Sequence, residues 1–390
     1  MTEPLACPEP ADPAEDSATL TSVDRATAEL RRGAMVVLVE PTGRAALVLA
    51  AETAGDEALR AMAELAGPDA LTLALSGRRA EILGFSGAAE RQVAAVALNS
   101  RADAPLVRRL ADPTLDDRPE RPLSGAAPAD PRAGRFAAPA VELTKLARLL
   151  PAAVVAPLGD PRPGEAAAAA KAWARRHDLL TVTTAAVADY QRVAARSLRR
   201  AGEARVPLEG AENARIIAFR PIDGGIEHLA IVIGEPAADE PVLTRLHSEC
   251  FTGDLLGSLR CDCGDQLRGA IAEIGRQGSG LLLYLAQEGR GIGLVNKLRA
   301  YQLQDRGADT VEANRQLGFD PDERIYQPAA EMLRQLGFTR VRLMTNNPQK
   351  VAGLARCGIV VTERVPHVIP ANGHNESYLR TKAARLGHMF

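Results

Sequence analysis

The chain has 390 residues, of which 46% are hydrophobic and 25% charged, with a formal net charge of −2. That length suits two domains of ordinary size. The near-zero charge argues against bulk electrostatic capture of nucleic acid, and no run approaches the roughly 20 apolar residues of a membrane span. The acidic, Pro-rich start lacks the charged and apolar regions of a signal peptide. Five cysteines, three of them clustered, do not make a disulfide framework, so a reducing, cytoplasmic setting is expected. Aromatic residues are only 3% of the chain, which leaves small aliphatic side chains to fill the cores.

Residues 1–20 read as a disordered tail of Pro, Asp and Glu with few apolar anchors. DRATAELRRG predicts a helix stopped at Gly33. MVVLVE, ALVLA and LTLALS are β-capable runs. Residues 111–139, rich in Pro, Asp, Arg and Gly, predict a flexible loop. Order resumes with VELTKLARLL, a strand at AAVVAPL, a helix through EAAAAAKAWARRH, a strand at LLTVT and a helix at AAVADYQRVAARS. This alternation predicts an α/β unit. The polar stretch LRRAGEARVPLEGAEN closes it near residue 207.

The second half opens with a hairpin: RIIAFRP, a turn at Asp223-Gly224-Gly225, then EHLAIVIG. GLLLYLA predicts a buried strand, GRGIG the turn after it, and LVNKLRAYQLQDRG a helix with Leu294, Leu298 and Tyr301 near one face. DTVEANRQLGFDPDER shows little apolar periodicity and predicts a loop. YQPAAEMLRQLG is a helix, VRLMT a strand, and NNPQKVAGLARCG a turn and helix. Strand, polar loop and helix recur, so the expected class is α/β. Two such domains are expected, at 21–205 and 206–390. The second has a mixed sheet flanked by helices and carries its site on loops at strand ends.

The chemistry concentrates in HSECFTGDLLGSLRCDCGDQL. Cys250, Cys261 and Cys263 are Cys-x10-Cys-x-Cys, and three thiolates leave a zinc ion one open position for water. Two plainer readings stand beside this one: three small buried cysteines, or a structural zinc closed by His247 or a distant histidine. Glu288, Gly289, Arg290, Gly291 and Gly293 follow a strand and open a helix, where backbone N–H groups favour an anion. Arg290 suits a phosphate through its forked guanidinium. Thr310, Asp322, Arg324, Thr345 and Lys350 form a looser polar set. Lys350 near a helix start opposes the helix dipole, which points to a ligand that offsets it. Tyr301 is either core or a hydroxyl presented to the metal.

Together these motifs, with KLRAYQLQDRGADTVEANRQLGF, DER and TNNPQK, resemble GTP cyclohydrolase II from about residue 209 to 390. The resemblance implies conversion of GTP and water to 2,5-diamino-6-ribosylamino-4(3H)-pyrimidinone 5′-phosphate, formate and diphosphate, the first step of riboflavin biosynthesis. It implies one Zn²⁺ on Cys250, Cys261 and Cys263, activating water to attack C8 of the guanine ring, with Tyr301 assisting. Arg245, Leu246, His247, Ser248, Glu249, Gln266, Glu288, Gly289, Arg290, Thr310, Thr345 and Lys350 are implied to bind GTP, with Mg²⁺ on the triphosphate. Arg324 is implied as nucleophile at the α-phosphate and Asp322 as proton acceptor. A guanidinium is always protonated, which makes charge stabilisation the easier task for Arg324. A homodimer is implied, with no membrane and no nucleic-acid partner. Ala286 stands where many relatives carry a basic residue.

The first half resembles 3,4-dihydroxy-2-butanone 4-phosphate synthase at its opening helix, at MVVLVE and at AKAWARRHDLLTVTTAAVADYQR. The acidic, Arg-containing loop that this synthase needs after its first strand is replaced by PTGRAALVLAAE, which holds one late glutamate, Glu52. No histidine precedes His177. A degenerate synthase domain is expected. The competing readings are a fully bifunctional enzyme, a zinc module on nucleic acid, and a cyclohydrolase that stops at the formamide.

Overall fold

The computed structural model describes residues 13–85, 92–98, 103–115, 131–159, 167–222, 225–369 and positions 373, 385, 387 and 389. Two mixed sheets organise the chain. The first is built from β1 (Val36–Val39), β2 (Ala45–Ala50), β3 (Thr72–Ser76), β4 (Val93–Ala97), β5 (Ala152–Pro157) and β6 (Thr181–Thr183), in the order β4-β3-β5-β2-β1-β6. Around it lie α1 (Pro13–Arg31), α2 (Asp56–Ala66), α3 (Gly77–Ile82), α4 (Ala104–Ala111), α5 (Pro131–Leu146), α6 (Ala167–Arg176) and α7 (Thr184–Arg196). β1, β2, β3 and β5 are buried at every position. This explains their unbroken Ala/Val/Leu runs: both sheet faces are covered, one by each of two apolar clusters.

The second sheet has the order β13-β12-β10-β11-β9-β8-β7. Its strands are β7 (Arg199–Arg205), β8 (Ala214–Arg220), β9 (His228–Ile233), β10 (Val242–Ser248), β11 (Gly280–Leu285), β12 (Arg340–Met344) and β13 (Val360–Val365). Its helices are α8 (Cys263–Gln277), α9 (Leu294–Asp305), α10 (Thr310–Gln316), α11 (Gln327–Gln335) and α12 (Pro348–Arg356). β10, β11, β12 and β13 run parallel; β9, β8 and β7 add antiparallel. Leu281, Leu283 and Leu285 pack on one face of the sheet and Leu282 on the other, as a period of two requires. The loops after β10, β11 and β12 meet at one edge, the usual place for a site in such a sheet.

Several sequence expectations change. Residues 13–20 and 131–139 are helical, in α1 and α5; residues 1–12 and 116–130 lie outside the described residues. The polar stretch after α7 contains β7, which pairs with β8, so the second sheet takes in residues assigned from sequence to the first half. β7 is exposed throughout and charged, the usual guard for a sheet edge. The hairpin pairs β8 with β9 in the register Phe219 to His228; turn residues 223 and 224 are outside the described set. The loop expected at 309–324 contains α10, capped by the Asp309 carboxylate, which accepts from the Val311 and Glu312 amides. On α9 the buried face is Asn296, Lys297, Ala300 and Leu303, while Leu294 and Leu298 are exposed.

The halves share a core. Ile292, Ala300, Leu303, Ala313, Leu317 and Phe319 pack in the same apolar cluster as Leu49, Leu73 and Val154. Asn296 donates to the Arg148 carbonyl oxygen at 3.3 Å, and Glu52 pairs with Arg299 at 2.9 Å.

Candidate active site

Cys250 follows β10, Cys261 lies in the loop beyond it, and Cys263 opens α8. Their three sulfurs lie within 4.8 Å of one another. The chain between them doubles back through a π turn at Phe251–Leu255. Gly253 sits against the sulfurs: a Cβ there would lie 2.8 Å from Cys261 Sγ and 3.1 Å from Cys250 Sγ. Asp254 ties the turn down, accepting from the Cys250 amide at 2.9 Å and from the Tyr284 hydroxyl at 3.0 Å.

Lys297 reaches the thiols from α9. Its Nζ is 3.1 Å from Cys250 Sγ, 2.8 Å from Thr252 Oγ1 and 3.0 Å from Glu288 Oε1. Burial works against its charge, but Cys250 and its other partners hold it protonated. Hydrogen bonds from the Cys261 and Cys263 thiols, with Lys297 beside them, push the Cys250 thiol far down. Sharing protons with Cys250 pushes the other two up. Three crowded thiols that lose one proton readily and resist losing more are a set completed by a soft cation. The residues therefore fit a zinc-type ion.

His247 is not one of this group. Its Nε2 lies 3.0 Å from Asp254 Oδ1, and its ring stacks on Tyr284. Burial pushes it towards the neutral form, against the pull of Asp254.

The three cysteines line a pocket. Every candidate from the sequence lines it except Leu246, Asp322, Gly291 and Gly293: Arg245, His247, Ser248, Glu249, the three cysteines, Gln266, Glu288, Gly289, Arg290, Tyr301, Thr310, Arg324, Thr345 and Lys350. Leu246 puts its side chain in the core and gives only its carbonyl oxygen, to Lys350 Nζ at 2.7 Å. Asp322 stands behind Arg324 and grips the guanidinium with both oxygens. Burial favours its neutral form, but Arg324 outweighs that and holds its carboxyl below the usual range.

Glu288 is a brace. Oε2 accepts from the Phe251 amide at 2.6 Å, and Oε1 accepts from the Gly289 amide and Lys297. The following turn carries Gly289, Arg290, Gly291 and Gly293 at positive φ. For Arg290, at φ 62°, the left-handed region costs roughly 1–2 kcal/mol. That backbone puts its side chain in the pocket, with a buried Nη1 that has no partner among the described residues. Strain of this kind is maintained where a site needs it.

Arg245 also lines the pocket; pulled down to about 10 by burial, it donates to the Met344 carbonyl oxygen and to Gln266. Tyr301 lies under the Arg260 guanidinium, 4.5 Å from its ring centroid, and burial raises its hydroxyl to about 12.

Sequence reasoning missed Lys297, Arg260, Asn314, Asn346 and Asn347, all on this pocket wall. For Lys297 a signal existed: it sits one helical turn before Tyr301.

A family model described as GTP cyclohydrolase II matches residues 199–366. The chain is 58% identical over 378 residues to a GTP cyclohydrolase-2 of Azospirillum brasilense, covering 96% of this chain and 95% of that one. It is 44% identical over 261 residues to the riboflavin biosynthesis protein RibBA of Synechocystis, covering 66% of this chain and 46% of that protein. A GTP cyclohydrolase-2 of Shewanella baltica is 58% identical over 171 residues, which are 44% of this chain and 84% of that one. Among solved structures, a two-domain 3,4-dihydroxy-2-butanone 4-phosphate synthase from A. baumannii aligns at TM-score 0.35 and 20% identity, over 88% of this chain and 99% of that one. A likeness so slight carries no argument.

Proposed function

Since the chain belongs to the GTP cyclohydrolase II family, an enzyme family of riboflavin biosynthesis, we propose that it opens the imidazole ring of GTP. The products are formate, diphosphate and 2,5-diamino-6-ribosylamino-4(3H)-pyrimidinone 5′-phosphate. The observation that carries this reading is one pocket lined both by three clustered thiols and by Arg290, Arg324 and Lys350. Cys250, Cys261 and Cys263 hold Zn²⁺, which when bound acts as a Lewis acid and supplies a water-derived nucleophile at neutral pH.

The chain's own residues do the rest. Lys297 offsets the charge of the thiolates, and Glu288 fixes Lys297 and the loop amides. Tyr301, neutral and beside the thiols, donates a hydrogen bond where charge develops on the purine. Glu249 and Gln266 meet the base. Arg290, Lys350 and Thr345, with Thr310, seat the phosphates and their Mg²⁺. Arg324, locked by Asp322, stabilises charge on the departing diphosphate; the bidentate grip leaves Asp322 little freedom to take a proton.

The first half makes no 3,4-dihydroxy-2-butanone 4-phosphate in this reading. Glu52, its late glutamate, is committed to Arg299 and to the Leu150 amide. The chain works as a homodimer. In support, Leu255, Leu256 and Leu259 on the thiol loop and Leu294, Val295 and Leu298 on α9 are all exposed, and Arg260 of that loop stacks on Tyr301 of that helix.

The test is to incubate the full chain with GTP, with and without a zinc chelator, and measure formate, diphosphate and pyrimidine absorbance. All three appear with metal, and formate and absorbance vanish together without it. Formate that persists in the metal-free chain sinks the reading. Ribulose 5-phosphate is expected to remain unconverted.

A further inference from the structure

A second cavity, of about 640 Å³, lies between the halves. The 286–293 loop separates it from the thiols, and Glu288 is on the wall of both. Three donors from three separate parts of the fold line it: Arg31 at the end of α1, Arg148 just beyond α5, and His228 at the start of β9.

Among the described residues neither guanidinium is paired with a carboxylate. Arg31 donates only through Nε, to the Ala147 carbonyl oxygen at 2.9 Å. Among the described residues the Arg148 guanidinium makes no hydrogen bond or ion pair, and its backbone is held at φ 59°. Burial lowers the affinity of Arg148 for its proton and the like charge of Arg31 adds to this, against the pull of Glu249.

The acids on the wall are already engaged. Glu323 and Glu142 flank Lys145, at 2.8 Å and 3.9 Å. Asp24 accepts from the Tyr190 hydroxyl at 3.3 Å, and Glu288 belongs to Lys297.

His228 is only 9% exposed. Its Nδ1 accepts from the Ala286 amide at 3.0 Å, which places the ring proton on Nε2. That N–H has no partner among the described residues. A buried ring with one nitrogen fixed on the backbone and a free donor on a cavity wall wants an acceptor from outside the protein. Two unneutralised guanidiniums beside it specify a dianion, and their forked geometry suits phosphate. Leu146, Ile226, Phe319 and Ile325 on the same wall suit an apolar body attached to that phosphate.

We infer that the interdomain cleft is a binding site for a small organic phosphomonoester, its phosphate held by Arg31, Arg148 and the His228 Nε2–H. The inference is independent of GTP turnover, because the site is distinct from the thiol pocket and is read by binding alone.

Calorimetric titration of the full chain with inorganic phosphate and with phenyl phosphate tests it. Phenyl phosphate binds more tightly than inorganic phosphate. Arg31→Gln and Arg148→Gln each weaken it about tenfold or more, the loss expected for one charge-assisted hydrogen bond, and Arg148→Lys retains part of the binding. Arg324→Gln, in the thiol pocket, leaves it unchanged. Should Arg148→Gln lower the melting temperature, Arg31→Gln at an exposed helix end gives the same reading without that complication. Full affinity in both Arg→Gln variants, loss in Arg324→Gln, or no heat from either probe overturns the site.

Discussion

Arg299 and Glu52 form an ion pair at 2.9 Å that joins the two halves of the chain at the helix carrying Lys297 and Tyr301. Arg299 also meets Asp112 at 3.0 Å, and the Asp112 side chain is only 7% exposed. Removing the guanidinium strands two carboxylates of low exposure. Arg299→Met is therefore expected to cost about 3 kcal/mol, the range found when one partner of a buried pair is lost. Denaturant unfolding of Arg299→Met, Glu52→Gln and the double variant checks it. The double variant should cost less than the sum of the singles, because one of the two stranded charges, that of Glu52, is gone, while Asp112 stays without its partner.

Lys297→Met keeps the length of the side chain and removes the charge between Cys250 and Glu288. Metal content is expected to fall, along with loss of at least about tenfold in GTP turnover, the scale of one buried charge-assisted contact. Atomic emission for zinc and a formate assay on the same preparation read both. A variant with full metal and full turnover would leave Lys297 a purely structural residue.

Gly253→Ala puts a methyl group against all three cysteines. The sheet does not depend on that turn, so circular dichroism should match the parent while bound zinc drops well below one ion per chain. Chelator competition measured with a chromogenic zinc indicator would show the loss as weaker retention.

Arg324→Lys keeps a positive charge and loses the fork that grips Asp322. Diphosphate release is expected to fall by about 10²-fold or more, the effect of removing one preorganised donor. Metal content should stay intact. Near-parental diphosphate release would remove the case for Arg324 as either nucleophile or charge stabiliser.

Burial lowers the folded-state pKa of His228 from 6.5 to about 4. The unfolded chain then takes up the proton first as pH falls. Stability is complete above about 6.5 and is lost progressively down to about 4, by about 3 kcal/mol at 1.36 kcal/mol per unit. Melting temperatures of the parent and His228→Asn between pH 7.5 and 4 should converge as the pH drops, with the shallower slope in the variant. Parallel slopes would mean that the ring does not titrate in this window.

Local chemistry was legible in the sequence and long-range partnership was not. The thiol spacing, the glycine turn after β11 and the TNNPQK turn after β12 each act within a few residues, so their patterns survive in one dimension. β10 hid because Arg245, His247 and Ser248 interrupt its apolar positions; they are there to serve the pocket. α10 has only seven residues, too few for a helical period to show, and its one signal was the Asp309 cap. Leu294 and Leu298 misled because α9 turns polar residues inward: Asn296 to a backbone carbonyl in the other half, Lys297 to a thiol 47 positions earlier. A side chain whose partner lies that far along the chain leaves no periodic trace.

The face of α9 and α10 that packs into the first half has a practical corollary for protein engineering. A hybrid grafting residues 199–390 onto an unrelated leader would uncover Ile292, Ala300, Leu303, Leu317 and Phe319 together. Such a hybrid would be sticky from the moment of synthesis. A usable stand-alone version would have to be repainted with polar residues along that seam before any catalytic comparison with the parent was fair.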